Sequence, residues 1–81
     1  MKARKVFVKV LVEFDEQGNV LPVNITWEDG RKYEIDKVTD IRRAVAGKVG
    51  GTAIRYTVRI NGRTTYLFLD EGKWFVESNC G

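Results

Sequence analysis

The feature that most constrains this chain is a two-residue alternation of apolar and polar side chains, interrupted by short turn signals. Val6, Val8, Val10, Val12 and Phe14 occupy every second position, and side chains of an extended strand alternate between its two faces. A helix would instead repeat its apolar residues every three to four positions. The alternation therefore predicts an all-β protein.

The first half of the chain predicts three strands, over residues 6–14, 20–27 and 31–38, separated by polar turns. Matching apolar faces places Val10 opposite Ile25, with Val8, Val12 and Phe14 opposite Trp27, Val23 and Leu21. A three-residue loop over 28–30, with Gly30 in a left-handed bulge, pairs Ile25 with Tyr33. The same register sets Val23 opposite Ile35.

The second half predicts a three-strand meander over residues 53–60, 63–69 and 73–77. Asn61-Gly62 is the strongest short hairpin signal in the chain, because a type I′ turn needs positive φ at both central residues. That turn pairs Tyr56 with Leu67, and the next turn, at Glu71-Gly72, pairs Leu69 with Trp74 and Leu67 with Val76. Residues 78–81 are expected to form a frayed tail.

Between these halves the alternation is interrupted. Over residues 39–52 a short helical turn and a short edge strand both fit, and Gly47, Gly50 and Gly51 mark a flexible connector. The expected architecture is a single domain over residues 1–77, built as a small antiparallel barrel or sandwich of about six strands. A closed barrel and an open sheet packed in a dimer both remain open, as does the strand order across the connector.

Composition argues against catalysis. The 81 residues contain no histidine, and Cys80 is the single cysteine. Histidine-based proton transfer and cysteine-rich metal sites are thereby excluded, so we expect no enzymatic activity, no cofactor and no metal. No apolar run approaches the ~20 residues of a membrane span, and the N-terminus does not resemble a signal peptide. We expect a cytoplasmic protein without a membrane partner.

Charge is distributed unevenly along the chain. Residues 1–40 carry seven basic and eight acidic residues, for a net charge of −1, whereas residues 41–81 carry seven basic and three acidic residues, for +4. Arginines alternating with aromatic rings on an open β-face suit single-stranded nucleic acid, because cations meet phosphates and rings stack on bases. The candidate nucleic-acid-binding residues are Arg42, Arg43, Arg55, Arg59, Tyr66 and Phe68.

Apolar side chains on the outer face of the meander, and on the outer face of the first strand, offer a competing interpretation. Exposed apolar side chains commonly mark association sites, and isologous dimers are the commonest oligomers. The candidate dimer or partner surface consists of Phe7, Leu11, Phe68 and Phe75. We expect a protein that acts by binding, as a homodimer or with another protein, and nucleic-acid binding is the alternative.

A set of motifs spread over residues 22–76 resembles a small uncharacterised bacterial family. The shared features are a Trp-x-Gly-Arg-x-Tyr hairpin, a Tyr-x-Val strand and a closing tryptophan, matched here by Trp27, Gly30-Arg31, Tyr33, Tyr56-Thr-Val58 and Trp74. This chain has one more residue between Trp27 and Gly30 than the family pattern. The family has no assigned activity, so the resemblance implies a bacterial β-domain of unknown function and supports the fold.

Overall fold

The computed structural model describes the backbone of residues 2–45 and 52–80, and the side chains of residues 5–43 and 53–77. These residues form eight strands. In chain order they are β1 (Lys2–Phe7), β2 (Lys9–Phe14), β3 (Val20–Thr26), β4 (Lys32–Glu34), β5 (Lys37–Val45), β6 (Thr52–Ile60), β7 (Arg63–Asp70) and β8 (Lys73–Cys80).

The strands form two antiparallel sheets, which confirms the all-β prediction. One sheet has five strands in the order β1-β8-β7-β6-β5, and the other has three in the order β2-β3-β4. Because β1 and β5 lie at opposite edges of the larger sheet, the described strands form an open sandwich-like arrangement rather than a closed barrel. We call the face of the five-stranded sheet that packs on the smaller sheet its inner face, and the opposite face its outer face.

Eight strands replace the expected six because the chain changes sheets twice where a single strand was predicted. At Val8, the amide donates a hydrogen bond to the Trp74 carbonyl of the larger sheet, while the next residue, Lys9, already pairs with Thr26 of the smaller one. The second change lies between neighbouring residues 35 and 36. The amide of Ile35 donates to Val23, whereas that of Asp36 donates to Arg59.

The first two hairpins have the predicted pairing close to the core. Val10 lies opposite Ile25, and Ile25 lies opposite Tyr33. The three-residue loop over 28–30 is also confirmed, since Gly30 has a φ of +90° and its amide donates to the Trp27 carbonyl. Farther from the core the register slips by one residue after Leu11, so that Val12 and Phe14 face Pro22 and Val20 instead of Val23 and Leu21.

In the meander, Asn61 and Gly62 both have positive φ, as a type I′ turn requires, and Tyr56 lies opposite Leu67 as predicted. Leu69 lies opposite Trp74, but the ladder between β7 and β8 stops at Phe68 and Phe75, so the predicted pairing of Leu67 with Val76 is not part of it. The sequence analysis ended the last strand at residue 77. In the structure β8 extends to Cys80, because β1 pairs with residues 75–80.

Residues 37–45 form the edge strand β5, which settles the first part of the ambiguous region in favour of a strand. β5 pairs with β6 from Lys37 opposite Arg59 to Val45 opposite Thr52, with a bulge at Thr39. The predicted glycine connector at residues 47–51 lies outside the described residues.

The main core lies between the two sheets. Ile25 of the smaller sheet is buried against the inner face of the larger one, where Val58 and Leu67 are fully inaccessible. The buried residues of this cluster are Val6, Ile25, Tyr56, Val58, Leu67 and Val76.

A second, smaller cluster lies on the outer face. Phe68 and Phe75 face each other across β7 and β8, with stacked rings 5.2 Å apart, and they pack with Ala53. The Phe7 ring and the Lys5 ammonium also contact Phe75, at 5.8 Å and 4.7 Å from its ring centroid. Both faces of the meander are therefore partly buried.

Candidate interaction surfaces

Strand pairing brings four of the six predicted nucleic-acid-binding residues to one surface. Arg42 of β5 lies directly opposite Arg55 of β6, and Arg55 lies opposite Phe68 of β7 on the outer face. Arg59 and Tyr66 belong to the same face by the strand alternation. We call these four residues, Arg42, Arg55, Arg59 and Tyr66, the basic face.

Specific contacts hold this surface together. The Arg55 guanidinium lies over the Tyr66 ring, 4.7 Å from its centroid. The Arg42 Nε donates to the Asp40 carboxylate over 2.6 Å, and this hydrogen bond lowers the pKa of Asp40 and raises the pKa of Arg42. Asp40 thereby offsets part of the repulsion between Arg42 and Arg55, which face each other as like charges. One buried donor has no partner, since the Arg55 Nε donates no hydrogen bond in the described part of the chain.

The structure corrects two members of the predicted set. Arg43 lies opposite Ile54, which places it on the inner face, away from the basic face. Adjacent residues of a strand point to opposite sides, so Arg42 and Arg43 cannot share a surface once β5 is a strand. Phe68 is only 3% exposed and stacks on Phe75, so its ring is not available to a base.

The predicted dimer surface is also divided. Phe7 and Leu11 are more than half exposed, at 57% and 58%, whereas Phe68 and Phe75 are buried. Phe7 packs on the outer face of the five-stranded sheet, and Leu11 lies in the smaller sheet, opposite Asn24. The change of sheet at Val8 separates these two side chains, which a single continuous strand would have kept on one face.

A more exposed apolar residue lies at the end of the β2–β3 hairpin. We call residues 11–23, which comprise the outer part of both strands and the turn between them, the distal hairpin. Phe14 is 70% exposed there. Neither core cluster of the described residues includes any of the apolar side chains of this segment, which are Leu11, Val12, Phe14, Val20, Leu21, Pro22 and Val23.

Ile41 is the corresponding exposed residue of the larger sheet. It lies on the inner face opposite buried Tyr56, but 44% of it remains accessible, because the main core reaches Val38 of β5 and does not extend to Ile41. Arg43 follows two residues later on the same face. We call Ile41 and Arg43 the β5 patch. Sequence reasoning missed both Phe14 and the β5 patch as surface features.

A shallow groove follows the point where the chain leaves β1 for β2. Phe7, Val8 and Trp74 provide its apolar wall, and Lys9 and Lys73 lie along it. It combines exposed apolar surface with two positive charges, and no acidic residue lines it.

Three acidic side chains, those of Asp15, Asp29 and Asp40, serve turns and ion pairs. Asp15 accepts hydrogen bonds from the Asn19 side chain and from the amides of Gln17 and Asn19, which lowers its pKa. Within the ranges that the structure describes, no group of three or more acidic or cysteine side chains could hold a metal ion. The same ranges contain no helix long and apolar enough to cross a membrane.

Comparisons with protein-family models, curated proteins and solved structures give no match for this chain. The resemblance to a bacterial family therefore stays a prediction, and the function must be argued from the surfaces themselves.

Proposed function

We propose that this chain is a non-catalytic binding domain of the bacterial cytoplasm whose partner is a protein, namely a second copy of itself. The observation that carries the proposal is the distal hairpin. Its two exposed apolar side chains, Leu11 and Phe14, lie outside both cores, and Phe14 at its end is the most exposed large apolar residue of the described chain.

Leaving this apolar surface in water costs free energy that association would recover. Burying apolar area contributes roughly 25 cal/mol per Å², and an aromatic ring provides a large share of the area in an association site. A strand pair with an uncovered apolar end supplies such area at little cost in ordering, because its backbone is already held by the β2–β3 ladder.

The small number of side chains suited to proton transfer near neutral pH favours a binding function over a catalytic one. The sequence has no histidine, and two of its carboxylates already have partners. Asp15 is held by its own turn, and Asp40 is paired with Arg42. Both have lowered pKa values, whereas a general base operating near neutral pH needs a raised one.

Sedimentation analysis of the wild-type chain from micromolar to millimolar concentration tests the proposal. We expect a reversible dimer that Phe14→Ser weakens, since Phe14 is the most exposed large apolar residue of the distal hairpin. Tyr66→Ser is the matched control, because Tyr66 is a half-exposed aromatic residue on the other sheet. A wild-type chain that stays monomeric at millimolar concentration would refute self-association.

A second candidate function has its own supporting observation, which is the stacking of Arg55 on Tyr66 beside Arg42 and Arg59. An exposed ring framed by guanidinium groups is a platform for one base and its neighbouring phosphates. It is smaller than the sequence predicted, because Phe68 is buried.

Fluorescence anisotropy with labelled single- and double-stranded DNA and RNA, at low and moderate salt, tests this second candidate. Binding should weaken steeply with salt, since phosphate neutralisation releases counterions. It should be lost in Arg55→Glu/Arg59→Glu and retained in Arg43→Glu, which changes the opposite face. Absence of binding at low salt would refute nucleic-acid binding by the basic face.

A further inference from the structure

We infer that the homodimer forms by reciprocal docking of the distal hairpin of each copy on the β5 patch of the other. This inference rests on the proposed function and names the two surfaces that form the dimer. Phe14 would pack on Ile41 of the second copy, and Glu16 would approach Arg43 of the second copy. A two-fold axis repeats both contacts, so each copy is donor and acceptor at once.

The first argument is that each surface is incomplete in the single chain. Phe14 is 70% exposed and Ile41 is 44% exposed, so neither covers the other within one molecule. Each lies where its own sheet extends beyond the main core. The main core reaches Val38 of β5 but does not include Ile41, so the inner-face area around Ile41 lies outside it.

The second argument is charge complementarity. The hairpin carries Glu13, Asp15 and Glu16 around Phe14, with no basic residue between Lys9 and Arg31. Ile41 is instead followed by Arg42 and Arg43. Arg42 is already bonded to Asp40, while Arg43 has no hydrogen bond or ion pair among the described residues and shares the inner face with Ile41. The acidic distal hairpin and the basic β5 patch therefore attract each other, whereas two hairpins or two patches carry like charges and repel. This difference favours hairpin-to-patch docking over hairpin-to-hairpin contact.

The third argument is area. A stable interface buries about 1,200 Å² or more in total. Reciprocal docking uses two hairpins and two β5 patches, so each needs to bury only about 300 Å² to reach that value. On one side this area would come from Phe14 and its flanking turn residues, and on the other from Ile41 and the stem of Arg43.

Charge reversal in two separate chains tests the inference. Glu16→Lys and Arg43→Glu should each raise the dimer dissociation constant about tenfold or more, because each places like charges together at both contacts. Mixing the two variants should restore a dimer of wild-type affinity. In the mixed dimer, the altered hairpin meets the altered β5 patch, and the unaltered hairpin meets the unaltered patch. Sedimentation at a concentration where each variant alone is monomeric gives the answer without a tag.

Matched controls place the same charge changes elsewhere. Glu71→Lys alters another exposed turn acid, and Arg63→Glu alters an exposed arginine of the larger sheet at the far end of β6 from Arg43. Both should dimerise as the wild type does. Phe14→Ser is the second disrupting variant, and urea denaturation of every variant confirms that each is folded.

The outcomes separate this inference from the proposed function. A wild-type dimer that Glu16→Lys and Arg43→Glu leave unchanged, or a mixture that stays monomeric, overturns the docking arrangement while self-association stands. A wild-type chain that is monomeric at millimolar concentration overturns both. Restoration of the dimer only in the mixture supports the reciprocal contact.

Discussion

Phe68 offers the sharpest test of the structure, because sequence and structure assign it opposite environments. The alternation places it on the outer face beside Tyr66, as a ring available for stacking. In the structure Phe68 is 3% exposed and its ring stacks on Phe75, while Tyr66, two residues earlier on the same strand, is half exposed. Truncating the two aromatic rings should therefore have very different effects on stability.

The expected magnitudes follow from burial. Replacing a buried phenylalanine by alanine costs about 3–5 kcal/mol, and the stacked pair with Phe75 supports the upper half of that range. A chain of 81 residues is stable by only about 4–12 kcal/mol, so Phe68→Ala risks unfolding the protein. Phe68→Leu keeps most of the volume and should cost about 1–2 kcal/mol. Tyr66→Ala loses an exposed ring and its cation–π contact with Arg55, at about 0.5–1 kcal/mol.

Equilibrium urea denaturation, followed by tryptophan fluorescence, measures these differences. With an m value of about 1 kcal/mol per molar urea, Phe68→Leu should lower the midpoint by roughly 1–2 M and Tyr66→Ala by at most about 1 M. Phe68→Ala should be partly or fully unfolded even without urea, so that its denaturation curve has little or no folded baseline. If Phe68→Ala unfolds at the same midpoint as Tyr66→Ala, the outer-face cluster does not exist as described.

Three further substitutions probe turns. Glu71 has a φ of +50°, a conformation that asparagine adopts more readily. Glu71→Asn should therefore raise the free energy of unfolding by about 0.5–1 kcal/mol. An unchanged urea midpoint would contradict the turn geometry. Gly30→Ala should cost about 1–2 kcal/mol, because φ at this bulge is +90°; a neutral result would place Gly30 in another conformation. The pKa of Asp15 is lowered by its hydrogen bonds with Asn19, so its contribution is present above the ordinary value of 3.8 and is lost as pH falls through the folded pKa. Asp15→Asn should reduce the loss of stability between pH 7 and pH 3, and an identical acid profile in the two proteins would count against the lowered pKa.

Local pairing was the most predictable level of the structure. The Asn61-Gly62 turn and the bulge at Gly30 were identified correctly, because the φ values they need are available to very few residue types. Those turns then set the register of Tyr56 with Leu67 and of Ile25 with Tyr33. A register shift of one residue would have moved every apolar side chain to the wrong face.

The candidate surfaces were less predictable, since they depend on contacts between residues distant in sequence. Arg43 was grouped with Arg42 because the sequence left residues 39–52 without an assigned conformation, and pairing of β5 with β6 was needed to separate their faces. Phe14 was predicted to lie on the apolar face of its strand, with Val8, Val10 and Val12. At Phe14 that face extends beyond the core, so the ring is 70% exposed. The acids on both sides of Phe14 were the one sequence signal that pointed to solvent.

The sequence by itself determined the all-β class, the turns at Gly30 and Asn61-Gly62 and the pairing of the strands that these turns join, because alternation and turn chemistry act over a few residues. The tertiary structure decided which faces are covered. Only the assembled strands show that the chain changes sheets at Val8, which separates Phe7 from Leu11, and that Phe68 and Phe75 form a buried pair on the outer face. Burial is a property of what packs above a residue, and in this chain the packing partners come from strands that lie far apart in sequence.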